Sequence, residues 1–268
     1  MYEFSKGSIF YKITKPLYSK QDLGISPKGA SDQLSFEIGY TLLGSPKKFV
    51  SYEIIYTNKI TFLEDCMFCL SGAHYETMYL NNENIHHTKV YSAQKGDILC
   101  LGKKTRGFRS YIISAALKSS RLGFEMQDFE KHFKIYTNKI RVCKGPEFEY
   151  LSDPDQILNN FHTISKDSSL MGLKLDSNNI KSNSYDIISS AVCDGTIQLT
   201  NNGPIILMRH RQTTGGYPRV LQVAAVDINL LAQYKIGERI HFEMISFDEA
   251  KKLLREYNHQ LDKFKSLF

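Results

Sequence analysis

Short runs of β-branched and aromatic residues recur along the whole chain, and turn-forming residues separate them. Val, Ile, Thr, Tyr and Phe are the residue types that strands favour. Turn chemistry such as that of Asn201-Asn202-Gly203-Pro204 ends one run before the next begins. So many short strands predict a mainly β fold whose sheets close into barrels or sandwiches. The runs lie at residues 8–13, 50–56, 60–70, 97–101, 108–116, 139–143, 187–199, 204–209, 220–226 and 239–245.

Three stretches have the pattern of a helix instead. The first follows Ser31, a predicted N-cap, and ends at Gly44. The second is short and covers residues 227–234. The third begins after Ser246, which stands three residues before Glu249, the spacing of a capping box. The sequence therefore predicts a β protein with few helices.

The composition indicates a folded chain with two lobes. Of the 268 residues, 42% are apolar, which is enough to bury a core in one large β domain or in two small lobes. The composition shifts between residues 117 and 135, and this shift separates two β-rich halves. We therefore expect an N-terminal lobe, residues 1–125, and a C-terminal lobe, residues 126–268, that includes the last helix.

Charge and hydropathy exclude several classes of protein. The formal net charge is +6, but the 34 basic residues are scattered among 28 acidic ones. A surface that tracks a nucleic-acid backbone needs clustered positive charge, so we expect no nucleic-acid partner. No stretch approaches the roughly 20 apolar residues of a membrane span, and the first residues do not have the pattern of a secretion signal. The sequence therefore predicts a cytoplasmic protein without a membrane partner.

The five cysteines indicate neither disulfides nor a metal site. Their number is odd, and four of them lie in apolar, strand-like sequence. Cys66 and Cys69 form a CxxC motif, but a zinc site needs a second such pair. A spacing of three along a strand also points the two thiols to opposite faces. The sequence contains no GxSxG, HExxH or GxGxxG motif either, so no nucleophile, metal or dinucleotide site is evident.

A glycine-containing loop, "RQTTGGYPRVLQVAAVD" at residues 211–227, lies between two apolar runs. Gly215-Gly216 leaves the backbone free to take positive φ and to approach a ligand closely. Its amide groups are therefore suited to converge on an anion or on a polarised carbonyl oxygen. Pro218 stiffens the exit of the loop into the following strand.

The side chains of this loop are neutral and polar. Gln212, Thr213 and Thr214 offer hydrogen-bond donors, and Tyr217 offers a stacking face and a hydroxyl. Such a site stabilises negative charge on an amide or carboxylate oxygen without a protonated residue. A tight β-turn with polar decoration explains the same residues, and the sequence alone leaves both interpretations open.

A second stretch of similar character is "DLGISPKGASDQLSFEIGYTLLG" at residues 22–44, a glycine and proline loop that leads directly into the first helix. Backbone amides and the helix dipole favour an anion near Ser26–Asp32. An ordinary capped helix after a turn is the alternative.

Several segments in a fixed order carry a family resemblance, and they cover most of residues 22–250. The chain resembles the KipA family, also called the C subunit of 5-oxoprolinase or allophanate hydrolase subunit 2, whose relatives are biotin-dependent carboxyltransferases. The most specific element is QTTGGYP at residues 212–218. The others are GISPKGASDQLSFEIGYTLLG (24–44), LSGAH (70–74), GDILCLG (96–102), GFRSYI (107–112), IRVCKGPE (140–147), MGLKL (171–175) and SSAVCDGTIQLTNNGPIILM (189–208).

The resemblance implies a cyclophilin-like β fold in two lobes. It also implies a subunit that works with two partners, the KipI-like B subunit and the A subunit of a 5-oxoprolinase. That assembly hydrolyses the lactam of 5-oxoproline to glutamate and consumes ATP. Direct binding of ATP to this chain stays open, because the sequence has no phosphate-binding loop.

The resemblance further implies two sets of site residues. Oxyanion or catalytic contacts fall to the loop residues Gln212, Thr213, Thr214, Gly215, Gly216 and Tyr217. Substrate-binding contacts fall to Ser26, Pro27, Gly29, Asp32, Glu147 and Pro218, with Pro27–Asp32 as the wall opposite the loop. Glu147, in the GPE element, fits a surface carboxylate at a strand end equally well.

The chain departs from the family at charged positions. Members usually carry an Asp-Arg pair before Met-Gly, where this chain has Ser169-Leu170, and an aspartate where it has His210. Arginines and carboxylates are well suited to orient a zwitterionic substrate or a phosphate. Three functions follow: a subunit of an ATP-dependent lactam hydrolase, a non-catalytic regulatory protein that binds a KipI-like kinase inhibitor, or a subunit of the carboxyltransferase or allophanate-hydrolase type.

Overall fold

The chain divides into two compact units, each with its own β structure. The computed structural model describes residues 1–116, 139–177 and 180–268. Of these, the first unit contains residues 1–15, 32–116 and 263–268, and the second contains the rest, including residues 16–31. The predicted lobe boundary at residues 125/126 and the composition shift at 117–135 lie outside the described residues. Sequence order alone did not predict that residues 16–31 join the second unit.

The first unit consists of two antiparallel five-stranded sheets. Their strand orders are β1-β4-β9-β6-β7 and β2-β3-β10-β5-β8. The strands are β1 (Tyr2–Phe4), β2 (Ile9–Ile13), β3 (Val50–Tyr56), β4 (Lys59–Phe62), β5 (Cys66–Tyr75), β6 (Met78–Leu80), β7 (Glu83–Asn84), β8 (Val90–Ala93), β9 (Ile98–Leu101) and β10 (Lys104–Ala115).

Both sheets of the first unit contribute to one apolar core. Ile60 and Leu99 of the first sheet cluster with Ile54, Phe68 and Ile112 of the second, and all five are fully buried. Side chains of two facing sheets that interdigitate in this way form a β-sandwich. The apolar runs predicted as strands supply these residues.

Helix α1 (Gln33–Leu42) lies close to the second sheet of this unit. A Cβ atom on Gly39 would lie only 2.7 Å from Cδ1 of Ile113, so a larger residue there would push the helix away. At the same place, the Ser71 hydroxyl donates a hydrogen bond to the carbonyl of Ser35 at 2.7 Å. Close approach of backbone and sheet is therefore the reason for a glycine inside this helix.

The N-cap of α1 is Asp32, and not Ser31 as predicted. Its Oδ1 accepts the Ser35 N–H at 3.0 Å, and its Oδ2 accepts the Ser35 hydroxyl at 2.6 Å. The Asp32 N–H donates to the hydroxyl of Tyr111 at 2.8 Å. A carboxylate at this position satisfies an otherwise unpaired helix amide and complements the helix dipole.

The second unit is built on a closed seven-stranded barrel of order β11-β18-β15-β16-β13-β12-β19. Only β11 and β19 pair in parallel; the other neighbours are antiparallel. The strands are β11 (Lys139–Lys144), β12 (Phe161–Ile164), β13 (Gly172–Asp176), β15 (Thr196–Thr200), β16 (Gly203–Leu207), β18 (Arg219–Val223) and β19 (Arg239–Met244), and outside the barrel β14 (Ser190–Ala191) pairs with β17 (Thr214–Gly215).

Short helical segments complete this unit. They are the 3₁₀ turns Tyr18–Leu23, Phe148–Tyr150 and Ala225–Asp227 and the helices α2 (Asp155–Leu158), α3 (Ile228–Leu231) and α4 (Phe247–Lys265), whose last residues belong to the first unit. The capping interaction predicted for the last helix is present, because the Glu249 N–H donates to the Ser246 hydroxyl at 3.1 Å. The prediction of a mainly β fold with few helices is confirmed. No helix of the described residues is long and apolar enough to cross a membrane.

The two cysteines of the CxxC motif are packed inside β5. Cys66 and Cys69 are 1% and 0% exposed. Burial raises the pKa of the Cys66 thiol to about 11 and that of the Cys69 thiol to about 12. Because the thiolate is the reactive form, both thiols are chemically inert at neutral pH. The structural role predicted for them agrees with this placement.

The Asp32 cap predicts a stability difference between two substitutions. Asp32→Ala removes both acceptors of Ser35, so we expect it to lower the free energy of unfolding by about 1–2 kcal/mol. Asp32→Asn keeps an oxygen for the Ser35 N–H and serves as the control, with a smaller loss. Urea denaturation of the three proteins measures the difference, and equal midpoints would contradict the capping role.

Candidate functional site

The backbone of the glycine loop is fixed against residues 187–192 of the same unit. Strand β17 pairs with β14, with Ser190 opposite Gly215 and Ala191 opposite Thr214. Next to this pair, the Thr213 carbonyl accepts the Val192 N–H at 3.1 Å, and the Gly216 carbonyl accepts the Ile187 N–H at 2.8 Å. The loop is therefore an ordered strand segment and not a simple tight turn.

The two glycines of the loop do not use the conformational freedom that suggested an anion site. Neither Gly215 nor Gly216 has φ in the left-handed region. Gly215 is required for another reason, since a Cβ atom there would lie 2.5 Å from Nε2 of Gln198. At Gly216 the nearest atom would be 3.6 Å away, which is ordinary contact. The close approach at Gly215 is thus made by a protein side chain.

Gln198 lies beneath the loop and contacts it at three points. Its Nε2 donates to the Tyr217 carbonyl at 3.1 Å, and its Oε1 accepts from Gln212 Nε2 at 3.3 Å. The third point is the contact with Gly215. Gln198 is 2% exposed, so these contacts hold the loop from its buried side. Sequence analysis did not identify Gln198.

Three hydroxyls of the loop are available to a ligand. Those of Thr213, Thr214 and Tyr217 form no hydrogen bond with any residue that the structure describes. Thr214 is exposed, Thr213 is half-buried, and Tyr217 is 42% exposed. Pro218, in contrast, is buried, and its carbonyl accepts the Leu199 N–H at 3.0 Å. Three of the side chains predicted to bind substrate or oxyanion are therefore at least partly accessible and unpaired among the described residues.

The segment of residues 26–31 is attached to the start of this loop. The Ser26 hydroxyl donates to the carbonyl of Arg211. Nε2 of His210 lies 3.2 Å from the Gly29 carbonyl, so this nitrogen carries the proton. Two of the predicted substrate-binding residues are thus placed beside residues 210–211.

The other two predicted residues of this segment have structural contacts of their own. Pro27 is buried, and its carbonyl accepts the Leu17 N–H at 2.9 Å. Asp32 belongs to the first unit, where both of its carboxylate oxygens cap α1. Residues 27–31 of the predicted wall belong to the second unit, like the glycine loop, and Asp32 belongs to the first.

A buried arginine ties the segment to the barrel. Arg209 Nη1 lies 2.8 Å from Asp194 Oδ2 and 3.3 Å from the Tyr18 hydroxyl. Its Nε donates to the Ser31 carbonyl at 3.3 Å, and its Nη2 donates to Asn229 Oδ1 at 3.1 Å. Arg209 is 7% exposed. Its guanidinium therefore forms buried hydrogen bonds with both ends of the segment 18–31.

A second buried arginine shares the same carboxylate. Nε of Arg211 lies 3.1 Å from Oδ1 of Asp194, and its Nη1 donates to the Gln212 carbonyl at 3.1 Å. The Nε–H does not point at Oδ1, so this contact is ionic and lacks hydrogen-bond alignment. Two guanidiniums around one carboxylate leave a net positive charge at the start of the loop.

The residues Asp194, Arg209 and Arg211 were not identified from the sequence. The available signal was the run ILMRHRQ, in which two arginines directly follow an apolar strand. Arginines are almost never fully buried unless they are paired, so such a position indicates a buried partner. The sequence does not say that the partner is Asp194, fifteen residues before Arg209.

Glu147 forms a bidentate ion pair with Arg219. Its Oε1 lies 2.7 Å from Arg219 Nη2, and its Oε2 accepts from both Nε and the backbone N–H of Arg219 at 2.9 Å. The hydrogen bonds of Arg219 hold the pKa of Glu147 below its usual value. Arg219 Nη1 also donates to the Ala191 carbonyl at 2.9 Å. The ion pair is therefore bonded to β14, the strand that pairs with β17 of the loop.

No group of three or more His, Cys, Asp or Glu side chains in the described ranges is placed to hold a metal ion. The polar surface of the loop consists of hydroxyls and carboxamides, which are donors and acceptors without charge. The arrangement is suited to bind a neutral polar group or a developing oxyanion.

The family assignment follows from a match that covers both units. A family model described as "Carboxyltransferase domain, subdomain A and B" matches residues 23–117 and 113–244. The chain belongs to this family. The two matches together contain every residue of the glycine loop and of the ion pairs around it. The resemblance drawn from the sequence segments is confirmed.

Curated relatives of this carboxyltransferase-family chain are named as the C subunit of 5-oxoprolinase. The relative from Haemophilus influenzae is 27% identical over 281 residues, which cover 91% of this chain and 91% of the relative. The relative from Escherichia coli is 28% identical over 269 residues, which cover 85% of this chain and 86% of the relative. The similarity thus extends over nearly the full length of both proteins.

A solved structure shows the same fold within a much longer enzyme. The K. lactis urea amidolyase superposes on 98% of this chain with a TM-score of 0.83 and 20% sequence identity. This chain spans 20% of the length of that protein. The fold of this chain is therefore also present inside that longer protein.

The Arg209 contacts predict that its loss loosens residues 18–31. Arg209→Met removes every bond of the guanidinium, and loss of one partner of a buried ion pair typically costs about 3–5 kcal/mol. We expect a lower denaturation midpoint and faster tryptic cleavage after Lys20 and Lys28. Arg255→Met, at an exposed arginine of α4 in the same unit, is the control and leaves both unchanged. Unaltered cleavage in Arg209→Met would contradict the tethering role.

The Glu147–Arg219 pair predicts a pH-dependent contribution to stability. Because the pKa of Glu147 is lowered in the folded protein, its stabilisation is present above the unfolded value of about 4.5 and is lost as the pH falls through the folded value. Wild type therefore exceeds Glu147→Gln in unfolding free energy at pH 7, and the gap narrows below pH ~4. Urea titrations between pH 7 and 3 measure it; a gap that stays constant would argue against an ionic role.

Proposed function

We propose that this chain is the C subunit of an ATP-dependent 5-oxoprolinase, which hydrolyses the lactam of 5-oxoproline to glutamate together with a KipI-like B subunit and an A subunit. The observation that carries the proposal is the similarity, over 85–91% of this chain, to two proteins named as the C subunit of 5-oxoprolinase. Both relatives are named as subunits, which supports a function within an assembly.

The chemistry of the loop supports the same reaction. Opening a lactam with water places negative charge on the carbonyl oxygen in the transition state. Neutral donors that are already held in position stabilise such charge without reorganisation. Thr213, Thr214 and Tyr217 offer three hydroxyls without partners among the described residues, on a backbone that β14 and Gln198 hold in place. We assign the oxyanion or substrate contacts to Gln212–Tyr217.

The residues of this site do not fit a bound ATP. Recognition of a triphosphate requires cationic side chains or a glycine-rich phosphate loop that faces it. Here Arg209 and Arg211 hold Asp194, and Arg219 holds Glu147. ATP is therefore proposed as the co-substrate of the assembly, and the described residues of the glycine loop do not form a site for its triphosphate.

A second candidate function is a regulatory protein that binds a KipI-like partner without turnover. The observation in its favour is His210, at a position where the resemblance implies an aspartate. Its Nε2 is engaged by the Gly29 carbonyl at 3.2 Å, so this side chain has a structural contact in place of a free carboxylate. A subunit of the carboxyltransferase or allophanate-hydrolase type is the third alternative, and the description of the matching family model is the observation that supports it.

Co-expression with a KipI-like B subunit and an A subunit separates the two candidates. The measurement is ATP-dependent release of glutamate from 5-oxoproline, with and without this chain. Turnover that requires this chain supports the hydrolase. A stable complex without turnover supports the regulatory protein, and the absence of any complex would refute both.

The free hydroxyls predict a loss of activity without a loss of stability. Thr213→Ala combined with Tyr217→Phe removes two donors that have no partner among the described residues. We expect glutamate release by the assembled complex to be abolished, while the melting temperature changes by only a few degrees, since such surface changes cost under about 1 kcal/mol. Tyr79→Phe, at a tyrosine exposed to a similar extent (40% against 42%), is the matched control and retains full activity. A large drop in melting temperature of the double variant would mean that the loop hydroxyls are structural.

A further inference from the structure

Gln198 occupies the outer face of barrel strand β15. Its neighbours Ile197 and Leu199 belong to the barrel core, and side chains alternate along a strand, so Gln198 faces the loop outside. The pairing of β15 with β18 shifts register between Ile197 and Gln198. Such irregularities re-aim a side chain, and here they accompany the one carboxamide that contacts both ends of residues 212–217.

The hydrogen-bond partners fix which way each carboxamide points. A backbone carbonyl only accepts, so the group of Gln198 that lies 3.1 Å from the Tyr217 carbonyl is its Nε2. Its Oε1 is then the group that faces Gln212 and accepts from Gln212 Nε2 at 3.3 Å. The Oε1 of Gln212 is consequently turned to the other side.

The two hydrogen bonds that link the Tyr217 carbonyl, Gln198 and Gln212 form a carboxamide relay, and the group at its free end is an acceptor. Gln212 is half-buried, and its Oε1 accepts no hydrogen bond from the residues that the structure describes. Gly215 keeps the relay in place, because any side chain there would collide with Gln198 Nε2. The loop therefore presents one oriented carbonyl-type oxygen next to the hydroxyl of Thr213 in sequence.

We propose that Gln212 Oε1 is a specificity-determining acceptor for the N–H of the substrate amide, held in that orientation by Gln198. The inference rests on the proposed function and adds to it the class of amide accepted: a lactam with a free N–H, in preference to its N-alkylated form. A lactam carries an N–H donor and a carbonyl acceptor on adjacent atoms. The loop offers both kinds of partner, an acceptor on Gln212 and the hydroxyl donors of Thr213 and Thr214 that follow it in sequence.

The size of the expected effect follows from the cost of an unpaired polar group. A site built to hydrogen-bond a substrate group rejects an analogue that lacks it far more strongly than a purely apolar site does. We therefore expect the assembled wild-type complex to prefer 5-oxoproline over N-methyl-5-oxoproline by about 100-fold or more in kcat/KM. Gln212→Met, which removes the acceptor at nearly constant size, is expected to lower that preference at least tenfold, through loss of activity on 5-oxoproline alone.

A second variant tests the relay without touching Gln212. Gly215→Ala is compatible with the backbone, since φ is not left-handed, but it displaces Gln198. We expect it to reduce the preference for the N–H form in the same direction. Gln260→Met, on the exposed surface of α4, is the control substitution and leaves the preference unchanged.

Kinetics and ligand binding together separate this inference from the proposed function. Binding of 5-oxoproline and of its N-methyl analogue to the wild-type and variant chains, assembled with both partners, is measured by saturation-transfer NMR. If the complex hydrolyses 5-oxoproline and both variants keep the wild-type preference for 5-oxoproline over its N-methyl analogue, the inference is overturned and the hydrolase proposal stands. No turnover, but N–H-selective binding that Gln212→Met abolishes, overturns the hydrolase proposal and supports the acceptor role. Neither turnover nor selective binding overturns both.

Discussion

The guanidinium of Arg209 is the group on which the second unit and its site depend. A buried cation is tolerated only if it is paired and hydrogen-bonded, and Arg209 finds its partners in Asp194, Tyr18, Ser31 and Asn229. These bonds join a segment from the N-terminal part of the chain to the barrel. The positions of Ser26 and Gly29 beside residues 210–211 follow from that attachment, and so does the start of the glycine loop.

The site combines a fixed framework with free functional groups. The framework consists of backbone pairing to β14, two ion-pair clusters and the buried carboxamide of Gln198. Its arginines and carboxylates are paired with one another, so the framework holds the loop from within the protein. The groups left over are the hydroxyls of residues 213, 214 and 217 and one carboxamide oxygen. This division is consistent with the proposed function, in which a site without an evident catalytic acid or base orients donors and acceptors around an amide.

Local patterns predicted the elements whose sequence signal is strong. The runs at 50–56 and 239–245 correspond to β3 and β19 within one residue, and the Ser246 cap is present. The strands β12 and β13 were missed, because runs of four and five residues are too short to carry a periodic signal. In the candidate site, the roles assigned to the loop residues stay predictions. The positive φ expected at Gly215 is absent, and the close contact there comes from Gln198, distant by 17 residues in the chain. The same limit applies to Asp194 and Gln198, because only tertiary contacts reveal their partners.

Residues 16–31 are synthesised early but belong to the second unit, so they cannot pack until the rest of that unit has been made. Ser31 and Arg209 are 178 positions apart, so at typical synthesis rates of ~5–20 residues per second the segment waits roughly 9–36 s for its partner to be made. During that interval Ala30 and Ser31, which are 1% and 3% exposed in the folded protein, lack the residues that cover them. The first unit likewise includes residues 263–268, which are synthesised after all of the second unit. The parts of both units that are made early therefore stay incomplete until these later residues follow, which lengthens the time over which a nascent chain is open to aggregation.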